Sequence, residues 1–312
     1  MTGAPTWARL AFRLQPSSIG FAAFVCLGLA AAALWLTFDM RSVLEACGGP
    51  DEPKACQVIY AFQDTHMNAV YLTQTGIGLA MYGIPLVLGV PILTREIEHK
   101  TAMIAWPLAG SRLKWLAWRV VPVLVVGLAL IGVMAFAADQ LAHAYFPHSD
   151  IGFDRHGTRG LSLVTRATLT LAAAVLLGAV IGRLLPALLI GIVLAAGIST
   201  AFDSVLPNWV ESRELIQSDS ILGGEFPLNT GFEYRAADGS PMSDVEAETL
   251  FQDLYEEYGE SVDPALLPRE VFYGVAGSRY QEVLIRESAA ILGVTVLAGA
   301  LAVVVVQRRR PE

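Results

Sequence analysis

Apolar residues in this chain run together instead of alternating with polar ones. Six stretches stand out: Ser18–Phe38, Val70–Leu93, Val120–Ala138, Leu163–Ile181, Ala187–Leu206 and Ser288–Val306. Each approaches the roughly 20 residues that a helix needs to cross a hydrocarbon core of about 30 Å. Lipid offers the backbone no hydrogen bonds, so these stretches must be helices. The pattern predicts an all-α polytopic membrane protein with six transmembrane helices. The first stretch is too long and too far into the chain for a cleavable signal peptide, and no small-residue cleavage site follows it, so it reads as a retained span. Spans four and five meet at "GRLLP", where Gly182 and Pro186 frame a tight turn carrying Arg183. No internal repeat of 20–50 residues is visible.

The polar stretches between the spans are unequal. Residues 1–206 hold the N-terminal tail and five spans, 207–286 form a separate polar region, and 287–312 hold the sixth span and a basic tail. Region 207–286 has 16 acids, five arginines and no lysine. Its stretch "SDVEAETLFQDLYEEYG" opens with a capping box, Ser243 with Glu246, and closes at Gly259. Leu250, Phe251, Leu254, Tyr255 and Tyr258 make an apolar stripe at helical spacing. A second capping box, Ser278 with Gln281, starts a helix expected to run into the last span. The region therefore reads as an ordered, mostly helical acidic domain. Its acidity fits a solvated face more readily than a specific cationic partner.

Charge sets the orientation. With the N-terminus cytoplasmic, the inner segments carry 11 basic residues against Glu96, Glu98 and Glu312, and the outer ones carry 10 against 26 acids. The positive-inside rule then places both termini in the cytoplasm. Trp7, Trp106, Trp115 and Trp118 fall on the inner side, and Trp35 and Trp209 at outer span ends, as an interfacial belt requires. Cys47 and Cys56 lie in the first outer loop, where an oxidising exterior permits a disulfide, with a pair of free thiols as the alternative. Cys26 is mid-span and reads as an apolar filler. His143, His148 and His156 cluster near the second outer loop, but their spacing matches no ligand pattern and they read as solvated. Arginine outnumbers lysine 18 to 3, which fits a GC-rich bacterial genome and hence a bacterial cell membrane.

Signatures of catalysis are missing. The sequence has no G-x-x-x-x-G-K-[ST] phosphate loop, no H-E-x-x-H and no G-x-S-x-G elbow, so an enzyme is not expected, and neither a metal nor a cofactor in this chain. The spans hold almost no ionisable residues; Asp203 and Glu287 lie near outer span ends, where water is expected to reach them. Small and mildly polar residues are what the spans offer. Gly178 and Gly182, and Gly191 with Ala195 and Gly197, suit close helix packing. Thr73, Gln74 and Thr75 sit together in the second span, where Gln74 must face protein or a watery path; helix–helix glue and path lining need the same inward face. Pro85 and Pro91 imply kinks there.

One segment departs from this economy. "REIEHKTAMIAWPLAGSRLKWLAWR", Arg95–Arg119, packs five basic residues and three tryptophans between the second and third spans. Its charges and rings suit a helix lying in the inner membrane interface. A loop that merely anchors two spans would need fewer. The segment resembles the inner segment of type-2 ABC transporter permeases: an acidic pair (Glu96, Glu98), Thr101, an apolar run to Pro107, then Ser111–Arg112 and a basic Arg119 opening the third span. Lys100 stands where that family usually has glycine. The layout is similar too, with six spans, Arg279–Tyr280 followed by Glu287 at the last span, and the tail "RRRP".

The resemblance implies the membrane subunit of an ATP-driven exporter. Segment 94–119 would be the coupling element docked on a separate ABC ATPase subunit, through Arg95, Glu96, Glu98, Lys100, Thr101 and Arg112. ATP and Mg would be held by that partner, with no nucleotide site in this chain. A second permease, another copy or a related chain, would complete the pair, with the bilayer as the other partner and no nucleic acid. Thr73, Gln74, Thr75 and Gly191 would line the path between protomers, under a lid formed by the outer region. A lipid, drug or peptide would each suit such a path. The alternative from the residues is a non-transporting membrane receptor or adaptor that binds through its acidic ectodomain.

Overall fold

The computed structural model describes residues 15–46, 57–101, 105, 109–145, 156–205, 215–218, 228–263, 266–275 and 279–309. Cys47, Cys56, His148, Ser278, Trp7, Trp106 and Trp209 lie outside them. The long helices are α1 (Pro16–Ala46), α2 (Gln57–Glu98), α3 (Arg112–Tyr145), α4 (Gly160–Ile181), α5 (Leu184–Val205) and, after the polar region, α7 (Tyr280–Arg308). Among the described residues six helices are long and apolar enough to cross a membrane, as the six apolar runs predicted. Most run past the apolar core at one or both ends, because polar residues continue a helix once its nucleus is in place. Pro85 and Pro91 lie within α2, and Pro122 within α3.

The chain divides into two compact units, one built on the spanning helices and one on residues 203–283. In the helical unit α2 and α4 are the most buried elements, with α1 and α3 packed about them. Small residues let α2 and α4 approach. A Cβ on Gly89 would stand 2.7 Å from Ala174 Cβ, and one on Gly178 would stand 2.9 Å from the Val90 carbonyl oxygen. In lipid, where apolar solvent gives helices no hydrophobic reason to associate, such close backbone contact supplies the attraction. Gly191 plays the same part for α5, its open side filled by Leu86 of α2. Gly197 meets no atom of another helix. Gly182 serves differently, as the left-handed cap of α4 (φ 65°), its N–H bonded to Gly178 O at 3.1 Å.

The second unit corrects the expectation of a mostly helical domain. It is a mixed unit with a four-stranded antiparallel sheet, β1 (Leu215–Ser218), β2 (Leu228–Arg235), β3 (Pro241–Met242) and β4 (Arg269–Val275), in the order β1-β4-β2-β3, with α6 (Asp244–Tyr258) between β3 and β4. The strand signal was present but short. Aromatic and polar residues alternate in "FEYR", so Phe232 and Tyr234 share one face, their rings edge to face at 5.5 Å, and Tyr234 meets Phe251 of α6 at 6.3 Å. Glu233, Arg235 and the Tyr273 hydroxyl bond together, Arg235 Nη2 donating to Tyr273 Oη at 2.9 Å. The Tyr273 hydroxyl and then Arg235 hold the Glu233 carboxyl below its usual range. The α6 capping box forms as predicted, with both reciprocal bonds in place.

Candidate functional site

The end of the helical unit that carries the 94–119 segment is tied together by charge; we refer to it as the basic end and to the other as the far end. Helix α2 stops there for a definite reason. Its last turn closes with His99 N–H on Arg95 O (3.2 Å) and Lys100 N–H on Ile97 O (3.1 Å), and Lys100 then takes φ 57°. Lys100 is the one non-glycine residue with positive φ among the described residues. The left-handed turn is therefore kept even though a lysine occupies it, at a steric cost of about 1–2 kcal/mol. Thr101 Oγ1 closes the turn on Glu96 O at 3.2 Å. Ala105 N–H on Thr101 O and Ala109 N–H on Ala105 O are helical bonds within the segment.

The sequence-predicted coupling residues divide by direction. Glu96 turns inward, pairing with Arg119 and accepting from Trp115 Nε1 at 3.0 Å. Arg119 and Trp115, which is 2 % exposed, thus anchor the start of α3 to the end of α2. Glu98 Oε2 accepts the Leu184 N–H at 3.1 Å, so α2 caps the N-terminus of α5, where a carboxylate also meets the positive end of the helix dipole. Arg112 donates to the terminal carbonyls of α7: Gln307 O and Arg309 O at 2.7 Å and Val306 O at 3.4 Å. Arg309 reaches in turn to Ala179 O and, at 3.4 Å, Val180 O of α4. Its guanidinium occupies the space a Cβ on Gly182 would need. Lys100 and Thr101 stay exposed, and Arg95 lines a cavity of about 280 Å³ with Gln15, Glu96 and Arg119. Trp115, Arg119 and Arg309 complete the network; the sequence marked them only as interfacial or basic residues.

The predicted path residues are not gathered into one wall. Thr73 and Gln74 are buried in the protein interior, with the Gln74 Oε1 lacking a hydrogen-bond partner, while Thr75 is on the surface. Gly191 lies well toward the basic end, against Leu86.

The far end holds what sequence reasoning missed. Glu287 does not reach water: its side chain is 5 % exposed. Arg166, within α4, donates to Glu287 Oε1 from Nη2 at 2.7 Å and Nε at 3.2 Å, and His156 bonds Oε2. His156 is 3 % exposed and Arg166 4 %, so the solvated histidine does not hold either, and Arg166 is one of the few ionisable residues within a span. Both expectations failed for one reason: each charge was weighed alone, and burial becomes tolerable only when partners from distant segments meet. A lone arginine inside an apolar run was the available signal. Gly157 (φ 88°) leaves room for the guanidinium, since a Cβ there would come within 2.6 Å of Arg166 Cζ. Phe202 of α5 lies over Arg166, Cζ to ring centre 4.7 Å, and Arg159 pairs with Asp139 of α3 at 2.8 Å.

Six helices long and apolar enough to span, with a charged linker between the second and third bonded to the ends of α3, α5 and α7, describe a multi-pass membrane protein. The profile of the ABC-2 membrane transporter related family matches residues 22–206, more than half of the chain, and the chain belongs to that family. As a type-2 ABC permease it is the membrane component of a transporter whose ATPase is a separate subunit. No curated protein and no solved structure matches it.

Proposed function

We propose that the chain exports its substrate, with the basic end in the cytoplasm and segment 94–119 gripped by an ATPase subunit that supplies ATP and Mg. Within this reading the six coupling residues take two roles. Lys100 and Thr101, with Arg95 beside them, present the docking face, and Glu96, Glu98 and Arg112 carry its motion inward. A second permease faces this one, and the substrate passes outward between them along Thr73, Gln74, Thr75 and Gly191. Alternating access then follows from ATP-driven contacts that differ between the two states.

The observation that carries the reading is the fan of bonds from the ends of the segment: Glu96 to α3, Glu98 to the start of α5 and Arg112 to the end of α7. A stop-transfer loop has no use for such bonds. A push on the segment reaches three spans at once.

The test is purification of the tagged chain from its native membranes in mild detergent, with companions identified by mass spectrometry. A stoichiometric ATPase is expected with the wild type. It should be lost with Lys100→Glu, a change on an exposed side chain outside the internal network. Wild-type preparations without any ATPase would reject the proposal.

A further inference from the structure

Helix α7 combines little burial with bonds at both of its ends. Most of its length is exposed, and its middle borders an apolar groove of about 310 Å³ toward α3 and α4, walled by Val120, Leu124, Leu171, Thr295 and Gly299. Its two ends are fixed by charge. At the basic end Arg112 holds the carbonyls of Val306, Gln307 and Arg309, and Arg309 is itself seated on the end of α4. At the far end Glu287 is clasped by Arg166 and His156, every member at least 95 % buried. About 30 Å of helix, at 1.5 Å per residue, separates Glu287 from Gln307.

A buried ion pair is an expensive way to join two helices, and apolar residues of similar volume usually serve as well or better. Ionisable groups kept inside a span are therefore functional by default. Here they have a mechanical consequence. Separating Glu287 from Arg166 strands buried charge, and withdrawing Arg112 gives up its bonds to the terminal carbonyls, so each end of α7 follows its partner, while the loosely filled middle lets the rod tilt or slide. Arg166 also lies under Phe202, so movement of Glu287 reaches the far ends of both α4 and α5.

We infer that α7 transmits displacement of the 94–119 segment across the membrane, with Arg112 as the grip at the basic end and Glu287, Arg166 and His156 as positioning residues at the far end. The inference rests on the transport reading above and adds to it a route and its residues.

The experiment uses the chain with its ATPase in lipid nanodiscs, with the three cysteines replaced and spin labels at Phe38→Cys of α1 and Leu161→Cys of α4, both exposed near the far end and the first outside the ion-pair cluster. The label separation should shift on trapping ATP with vanadate. Glu287→Gln or Arg166→Gln alone strands a buried partner and should cut the yield of folded protein by more than about tenfold. The double change removes both charges and should restore the yield and the bound ATPase, yet abolish the nucleotide-driven shift. Gly157→Ala, which displaces the Arg166 guanidinium without removing its charge, should weaken the shift in a second way. A double variant that shifts like its parent overturns the inference and leaves a merely structural ion pair. A parent that binds the ATPase but shows no shift overturns it too, with the transport reading intact. A parent that retains no ATPase sinks both.

Discussion

Gly182→Ala tests the basic-end network most sharply, because the substitution adds one carbon where an arginine already sits. The residue has φ 65°, where a side chain costs about 1–2 kcal/mol. The new Cβ would also stand 2.8 Å from Ile97 Cγ2 and overlap the Arg309 guanidinium. Arg309 is flexible and would withdraw, giving up its bonds to Ala179 O and Val180 O. Since Arg309 is part-exposed, those bonds are worth about 1.5 kcal/mol, the low end for a charged donor. Gly182→Ala should thus cost about 3 kcal/mol in all, and Arg309→Gln alone about 1.5 kcal/mol. The combined variant should be no less stable than Gly182→Ala, because the bonds can be lost only once. Unfolding in mixed micelles titrated with SDS, followed by tryptophan fluorescence, measures all four proteins. Costs that add to within about 0.5 kcal/mol would show that Gly182 and Arg309 do not act together, and would refute the packing argument.

Two further outcomes follow from local geometry. Lys100→Gly should stabilise the chain by roughly 0.5–1 kcal/mol by relieving the left-handed lysine, the same titration reading the gain; a loss would mean that the lysine side chain contributes more than its backbone costs. In the acidic unit, bonds from Ser243 hold the Glu246 carboxyl below its usual range. Its contribution is therefore complete above the unfolded value and is lost as pH falls through the folded one. Amide exchange of α6, corrected for intrinsic rates, should accelerate as pH falls through and below the ordinary glutamate range, and a Ser243→Ala variant should show less of that dependence; equal pH profiles would sink the linkage.

The apolar runs alone fixed that six helices cross a membrane, because lipid leaves a backbone no other way to satisfy itself. The capping box at Ser243 was equally legible, since both its bonds join residues three apart. The oddity of Arg95–Arg119 was also visible, as were Glu96, Glu98 and Arg112 as its charged members. Their directions were not. Glu98 finds Leu184 and Arg112 finds the end of α7 only when segments 86 and 195 residues away arrive beside them. The strands of the acidic unit escaped for a related reason: glycine and polar residues in "LNTGFEYR" and "REVFYGV" blur the alternation of β2 and β4, which become stable only against one another. Arg166, Glu287 and His156 make the same point most strongly. Each taken singly belongs in water, and only the tertiary structure, by bringing three distant polar side chains within bonding distance around the space left by Gly157, made their burial affordable.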